Sequence, residues 1–185
     1  DAPRTWTRLV DGTPVRGLSV AGDAFVALGN TTAFSGSVGE ALTTGNVARR
    51  PASGIEGDVL GMALDPSDAA IAYAMTTNEI YRTTDSGASW SRLPLPWPAA
   101  QLRSLAIDPA RPEQLLVLDY RGAIYRGHGD GEHWLILDED PGMFRAWSLR
   151  VSPQAPGFAL VATLGHGLRV VNLDPLAIPA VAGEE

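Results

Sequence analysis

The chain repeats itself at a period of 43 or 44 residues, and no other feature restricts its fold as strongly. One stretch opens Leu60-Gly-Met-Ala-Leu-Asp-Pro66, passes through Ile80-Tyr-Arg82 and reaches Trp90. A second opens Leu102-Arg-Ser-Leu-Ala-Ile-Asp-Pro109, passes through Ile124-Tyr-Arg126 and reaches Trp134. The Asp-Pro pairs lie 43 residues apart, and the Ile-Tyr-Arg triplets and the tryptophans 44 apart. Three landmarks on one period mean a supersecondary unit stacked against copies of itself. Weaker traces extend the period both ways. Leu149-Arg-Val-Ser-Pro153 and Gly167-Leu-Arg-Val170 follow it downstream, and Val15-Arg-Gly-Leu-Ser-Val20 and Ala24-Phe-Val-Ala-Leu28 precede it.

Each unit reads as four short strands. In the clearest copy they cover residues 59–64, 70–76, 79–83 and 89–93, with Asp-Pro and Asn-Glu at the breaks, where turn residues belong. The second strand, Ala-Ile-Ala-Tyr-Ala-Met, is apolar throughout, as expected of a strand buried on both faces. No segment shows a helical period, and in the first unit residues 32–35 and 40–47 are read as degenerate third and fourth strands. Four-stranded sheets recurring every 40–45 residues predict an all-β fold, a β-propeller of about four blades. The blades are expected near residues 12–57, 58–100, 101–143 and 144–173, with a C-terminal tail at 176–185. The last unit offers only three strands, while residues 6–10 read as a fourth strand without three before it. Two arrangements follow: the N-terminal strand completes the last blade, or the chain is a segment of a larger propeller completed by further sequence or a second copy. Closure would shield edge strands from aggregation.

Composition narrows the function. Hydrophobic residues make up 45% and charged residues 19%, the mixture of a chain that buries a core. The net charge of −7 argues against nucleic acid or an anionic membrane surface as partner. All 14 basic residues are Arg, which fits a codon bias or, alternatively, bidentate recognition of carboxylates. There is no Cys, so thiolate and disulfide chemistry are excluded, and no apolar run is long enough to span a bilayer. The chain opens on Asp1 without Met, read as a processed or excised start, and an extracytoplasmic location is expected.

Between the third and fourth strands of the clearest unit lies Thr83-Thr-Asp-Ser-Gly-Ala-Ser-Trp90. It fits the Asp-box pattern: Ser or Thr, any residue, Asp, any residue, Gly, two of any kind, then Trp. Asp85 is suited to accept backbone hydrogen bonds in its own turn, Gly87 to supply an unusual backbone angle, and Trp90 to plug the gap between sheets. A second copy, Gly127-His-Gly-Asp-Gly-Glu-His-Trp134, keeps Gly131 and Trp134 but displaces its Asp to Asp130. A third pairs Asp1 with Trp6 at the same spacing, with Pro in place of Gly. On these motifs the chain resembles the Asp-box (BNR-like) propeller superfamily. That group includes sialidases, xyloglucan-degrading glycosidases, sortilin-type receptors and photosystem II assembly factors. The Asp-Pro strand followed by the box looks most like the sortilin and glycosidase branches. The boxes are structural in these families, so the resemblance implies a fold and no particular activity.

A sialidase would carry an Arg triad and an Arg-Ile-Pro motif, and the latter is absent; Arg111-Pro-Glu113 is only a loop. Other glycosidases need two carboxylates facing across a cleft. The acidic run Asp138, Glu139 and Asp140, with Asp58 and Asp119, supplies candidates, but such runs are usually solvated turns. His128, Asp130, Glu132 and His133 crowd one loop, yet read better as a degenerate box turn than as a metal site, and His166 as a turn residue. No phosphate loop, dinucleotide fingerprint or nucleophile elbow is present, so no cofactor and no catalytic residue are expected. Propellers bind on the face made by the loops entering each blade and the turns between second and third strands. Here that face gathers Trp97, Asp138, Asp140, Phe144 and Arg145, Trp147 beside them, and Tyr120, Arg121 and Asn78 on the turns. The expected function is a non-catalytic interaction or assembly module binding a protein partner, within a larger complex. The alternative is a carbohydrate-binding or glycosidase-like propeller with Trp97 and the acidic loop lining a glycan groove.

Overall fold

A computed structural model of the protein describes residues 8–10, 12–96, 101–138, 146–152, 154–165 and 167–173, the side chains of Asp138 and Pro156 excepted. It is a β-propeller of four sheets, each an antiparallel meander of consecutive strands. Sheet one contains β1 (Val15–Ala21), β2 (Ala24–Gly29), β3 (Thr32–Ser37) and β4 (Ala48–Pro51), with helix α1 (Val38–Thr44) between the last two. Sheet two contains β5 (Gly61–Leu64), β6 (Ala72–Met75), β7 (Ile80–Thr83) and β8 (Ser91–Arg92). Sheet three contains β9 (Leu102–Asp108), β10 (Arg111–Asp119), β11 (Ile124–His128) and β12 (Trp134–Asp138), and sheet four β13 (Ala146–Ser152), β14 (Ala155–Thr163) and β15 (Gly167–Asn172). Among the described residues the fourth sheet therefore has three strands. Residues 8–10 form no strand, and Val10 packs on sheet one. Residues 6 and 7 lie outside the described residues.

Period-two alternation builds the core. Along β10 the run Leu115-Leu116-Val117-Leu118 is wholly buried. Leu115 and Val117 point into one cluster with Tyr73, Met75 and Ile80 of sheet two. Leu116 and Leu118 point the other way, against Leu149 and Val161 of sheet four. A strand between two sheets has no wet face, so it reads as a continuous apolar run. Sheets one and two close in the same manner, with Val26, Leu28 and Ala33 meeting Leu64, Ala72, Ala74 and Tyr81. Seams between inner strands are also pinned by serine. Ser19 Oγ accepts the Leu64 amide at 2.8 Å, and Ser104 Oγ accepts the Leu149 amide at 3.0 Å. The Asp-Pro breaks are turns closed by their own aspartates: Asp65 Oδ1 accepts the Ser67 amide at 2.7 Å, and Asp108 Oδ1 accepts the Ala110 amide at 3.0 Å.

One sequence expectation is corrected in sheet one. Residues 40–47, read as a degenerate fourth strand, begin as helix, and the fourth strand is Ala48–Pro51. The cause is capping. Ser37 Oγ accepts the Glu40 amide at 3.1 Å, Asp23 accepts the Gly39 amide at 2.9 Å, and Gly45 ends the helix at φ 72°.

Candidate functional site

The inner strands β1, β5, β9 and β13 lie side by side in chain order around one central channel, a cavity of about 750 Å³. Among the described residues its lining includes Arg103 and Arg150 and no Asp, Glu or His. In a chain of net charge −7 this wall is locally cationic.

The mouth of the channel is built by a local device that recurs in three sheets. At the start of β1, pairing jumps from Val15↔Gly29 to Gly17↔Leu28, which leaves Arg16 as an extra residue. At the start of β9 it jumps from Leu102↔Asp119 to Ser104↔Leu118, which leaves Arg103. At the start of β13 it jumps from Ala146↔Thr163 to Ser148↔Ala162, which leaves Trp147. Each is a β-bulge, which frees one residue from the ladder and re-aims its side chain. Sheet two pairs without such a jump, and Gly61 opens its inner strand.

The three bulged residues meet different surroundings. Arg16 donates from Nε to Asn30 and from Nη1 to Asp58, so a carboxylate neutralises it. Arg103 has no ion pair among the described residues. Instead its guanidinium carbon sits 4.7 Å from the centre of the Tyr120 ring and 5.5 Å from that of Trp147. Stacking on two rings holds the fork in place and leaves most of its donors uncommitted. Its Nε is buried without a hydrogen-bond partner, and a buried N–H in that state is uncommon in native structures. Trp147, 56% exposed, offers the rest of its indole to solvent at the mouth. Deeper in, Arg150 Nη1 is spent on the Leu149 carbonyl at 2.7 Å and on Ser104 Oγ at 3.2 Å.

Tyr120 is placed by its turn. Asp119, buried, accepts the Ala123 amide at 2.9 Å and the Tyr125 hydroxyl at 3.3 Å. The Tyr120 amide donates to the Gln101 carbonyl at 2.8 Å, and the Leu102 amide to the Thr77 carbonyl of sheet two, also at 2.8 Å. The turn, the strand bearing Arg103 and the neighbouring sheet are thus tied together by backbone. Of the residues expected on this face, Tyr120 and Trp147 come together at Arg103, and Arg121 and Asn78 are exposed on their turns. Trp97, Asp140, Phe144 and Arg145 lie outside the described residues, as does the side chain of Asp138. Sequence reading missed Arg103. The available signal was an Arg one residue into the inner strand of two units, in Val15-Arg16 and Leu102-Arg103.

The turn Thr83–Trp90 is a closed hydrogen-bonded unit. Asp85 Oδ1 accepts the Ser89 amide at 2.8 Å and the Thr83 hydroxyl at 2.7 Å, and Oδ2 accepts the Ser89 hydroxyl at 2.6 Å. Burial pushes the Asp85 carboxyl up. The Ser89 hydroxyl and amide, the Thr83 hydroxyl and the Ala88 amide together outweigh that and hold it below the usual range. Gly87 sits at φ 91°, and Trp90, buried between sheets one and two, donates Nε1–H to the Gly87 carbonyl at 2.9 Å. In the second copy Trp134 Nε1 donates to the Gly131 carbonyl at 2.8 Å, so the indole anchor is kept. Among the described residues the displaced Asp130 reaches only the Glu132 amide at 2.9 Å and His128 Nδ1 at 2.9 Å. Among the described residues no group of three His, Cys, Asp or Glu could hold a metal. Asp1 and Trp6 of the third copy lie outside the described residues.

No family model matches the chain, and no curated protein matches it by sequence. Its fold is similar to that of solved structures. The computationally designed Ika4 protein overlays with a TM-score of 0.64 at 12% identity, over 92% of this chain and 100% of that one. An ancestral GH74 enzyme overlays with a TM-score of 0.60 at 12% identity, over 87% of this chain and 23% of that one. The computationally designed Ika8 protein overlays with a TM-score of 0.61 at 11% identity, over 88% of this chain and 47% of that one. The chain thus spans about a quarter of the enzyme and under half of the longer designed protein.

Proposed function

We propose that the chain is a non-catalytic, extracytoplasmic interaction module of the Asp-box kind, whose channel mouth takes an acidic segment of a protein partner. Arg103 carries this reading: a guanidinium held between two rings, without a carboxylate partner among the described residues, at the loop end of a propeller channel. A preorganised Arg fork suits a carboxylate, and Arg with Tyr and Trp is the residue set of interface anchors. At physiological salt the screening length is about 8 Å, so the distant acids of the surface weigh little against the local fork. The extracytoplasmic placement rests on the resemblance alone.

The test is affinity capture with crosslinking of the tagged protein from its native cells, compared with Arg103→Ala and Arg16→Ala. A partner retained by the wild type and by Arg16→Ala, but lost with Arg103→Ala, supports the reading. A partner held equally by all three removes the mouth as the site. The exposed face of Trp147 favours a second reading, stacking of a sugar ring. Retention on polysaccharide columns that disappears with Trp147→Ala, without any protein captured, would replace the first.

A further inference from the structure

Beyond that reading, we propose that the channel itself holds a small apolar monocarboxylic acid, its carboxylate taken by Arg150 and Arg103 and its hydrocarbon body laid against the facing wall. The two halves of the wall differ in kind. Sheets three and four bring both guanidinium groups to the cavity, with Trp147 beside Arg103. Sheets one and two bring uncharged and largely aliphatic residues, Leu60 and Met62 among them. The hydroxyl on that half, Ser19 Oγ, is engaged by the Leu64 amide at 2.8 Å. Leu60 is 52% exposed, so apolar surface is left there for a ligand to cover.

The cationic half is preorganised. Arg150 reaches across the seam, its Nη1 fixed on the Leu149 carbonyl at 2.7 Å and on Ser104 Oγ at 3.2 Å. Ser104 follows Arg103 on β9, so one serine ties the deeper guanidinium to the strand that carries the upper one. Arg103 Nε is buried, so a ligand meets the terminal nitrogens of a fork already held on two rings. Two fixed cations on one wall repel each other, and an anion shared by both relieves that repulsion. Guanidinium forks match the planar, two-oxygen geometry of a carboxylate. One carboxylate suffices, because the facing wall would desolvate a second without repaying it. The rest of the ligand is set by the space. A cavity of about 750 Å³ lies within the ~300–1,000 Å³ of small-molecule sites, which pair apolar lining with a few placed polar groups.

Isothermal titration of the whole chain with acetate, butyrate, hexanoate and octanoate tests this. Affinity is expected to rise along the series by up to about fourfold per methylene. Octanamide, which lacks the charge, and suberate, which carries a second carboxylate, are expected to bind about tenfold or more weaker than octanoate. Arg150→Gln and Leu60→Asp each alter one half of the wall, and each is expected to weaken octanoate by about tenfold or more, with folding checked by circular dichroism. Leu60 is exposed, so its variant leaves the seams intact. Arg150→Gln leaves Arg103 and its rings in place, so capture of a protein partner at the mouth is expected to persist in it, and the two readings fail separately. No octanoate binding at millimolar concentration overturns the proposal, as does an affinity flat along the series, or octanamide or suberate binding as tightly as octanoate. So does octanoate held by either folded variant as tightly as by the wild type, which would place it on an outer apolar face such as that of Leu168 and Val170.

Discussion

Replacing Trp90 with Ala tests whether this tryptophan is a plug between sheets or a cover on one turn. Trp90 is 5% exposed and packs among Val26, Leu28 and Ala33 of sheet one as well as Ala74 and Tyr81 of its own sheet. Truncating a buried aromatic of this kind costs about 3–5 kcal/mol. It also strands the Gly87 carbonyl, which now accepts Nε1–H at 2.9 Å, and an unmade buried hydrogen bond costs about 1–3 kcal/mol. These losses share one cavity and are not additive, so the expected total is about 4 kcal/mol, a large part of the ~5–15 kcal/mol that holds a domain folded. Trp134 makes the equivalent bond to Gly131 but is less deeply buried, so its Ala variant is expected to cost less. Trp90→Phe keeps most of the ring and removes the N–H, an effect of about 1 kcal/mol. Guanidinium titrations followed by far-ultraviolet circular dichroism give all three. If Trp90→Ala costs no more than Trp134→Ala, the seam between sheets one and two does not depend on the indole, and the reasoning fails.

Two further outcomes follow from the same turns. The folded-state pKa of Asp85 is depressed, so its contribution is present above the unfolded value of about 3.9 and is lost as pH falls through the lower folded value. Urea midpoints between neutral and acid pH should show Asp85→Asn less stable near neutrality and with a shallower acid loss; an unchanged acid slope would refute the hydrogen-bond account. A methyl added at Gly127 would stand 2.3 Å from the Trp134 ring. Gly127→Ala is therefore expected to cost about 1–3 kcal/mol and to shift the Trp134 indole N–H resonance, and an unaltered spectrum and melting point would contradict that contact.

What the sequence disclosed and what it hid separate along physical lines. The blades were legible because burial on both faces forces apolar runs such as Leu115 to Leu118, and because turns demand Asp-Pro and Gly. The bulges were not. A bulge shifts pairing by one residue, and Val15-Arg-Gly, Leu102-Arg-Ser and Ala146-Trp-Ser look like ordinary alternation until the partner strand is placed. An Arg in such a strand reads as a residue turned to water, so Arg103 escaped notice, while Tyr120 was found because its turn could be located. Helix α1, of seven residues, is too short to display a period, although Ser37 followed by Glu40 three residues later is a capping signature that the sequence contains.

The place one residue into each inner strand is where a constant scaffold carries variable chemistry. Arg16, Arg103 and Trp147 stand there in sheets one, three and four, while sheet two has no bulge and opens on Gly61. Were that place structural, one residue type would serve throughout, as Trp serves both described turns. Instead Arg16 is neutralised by Asp58, Gly61 leaves space, and Arg103 is framed by Trp147 from the next sheet. The difference is local to the mouth, because the seams beneath it between sheets one and two and between sheets three and four use the same serine-to-amide and apolar contacts.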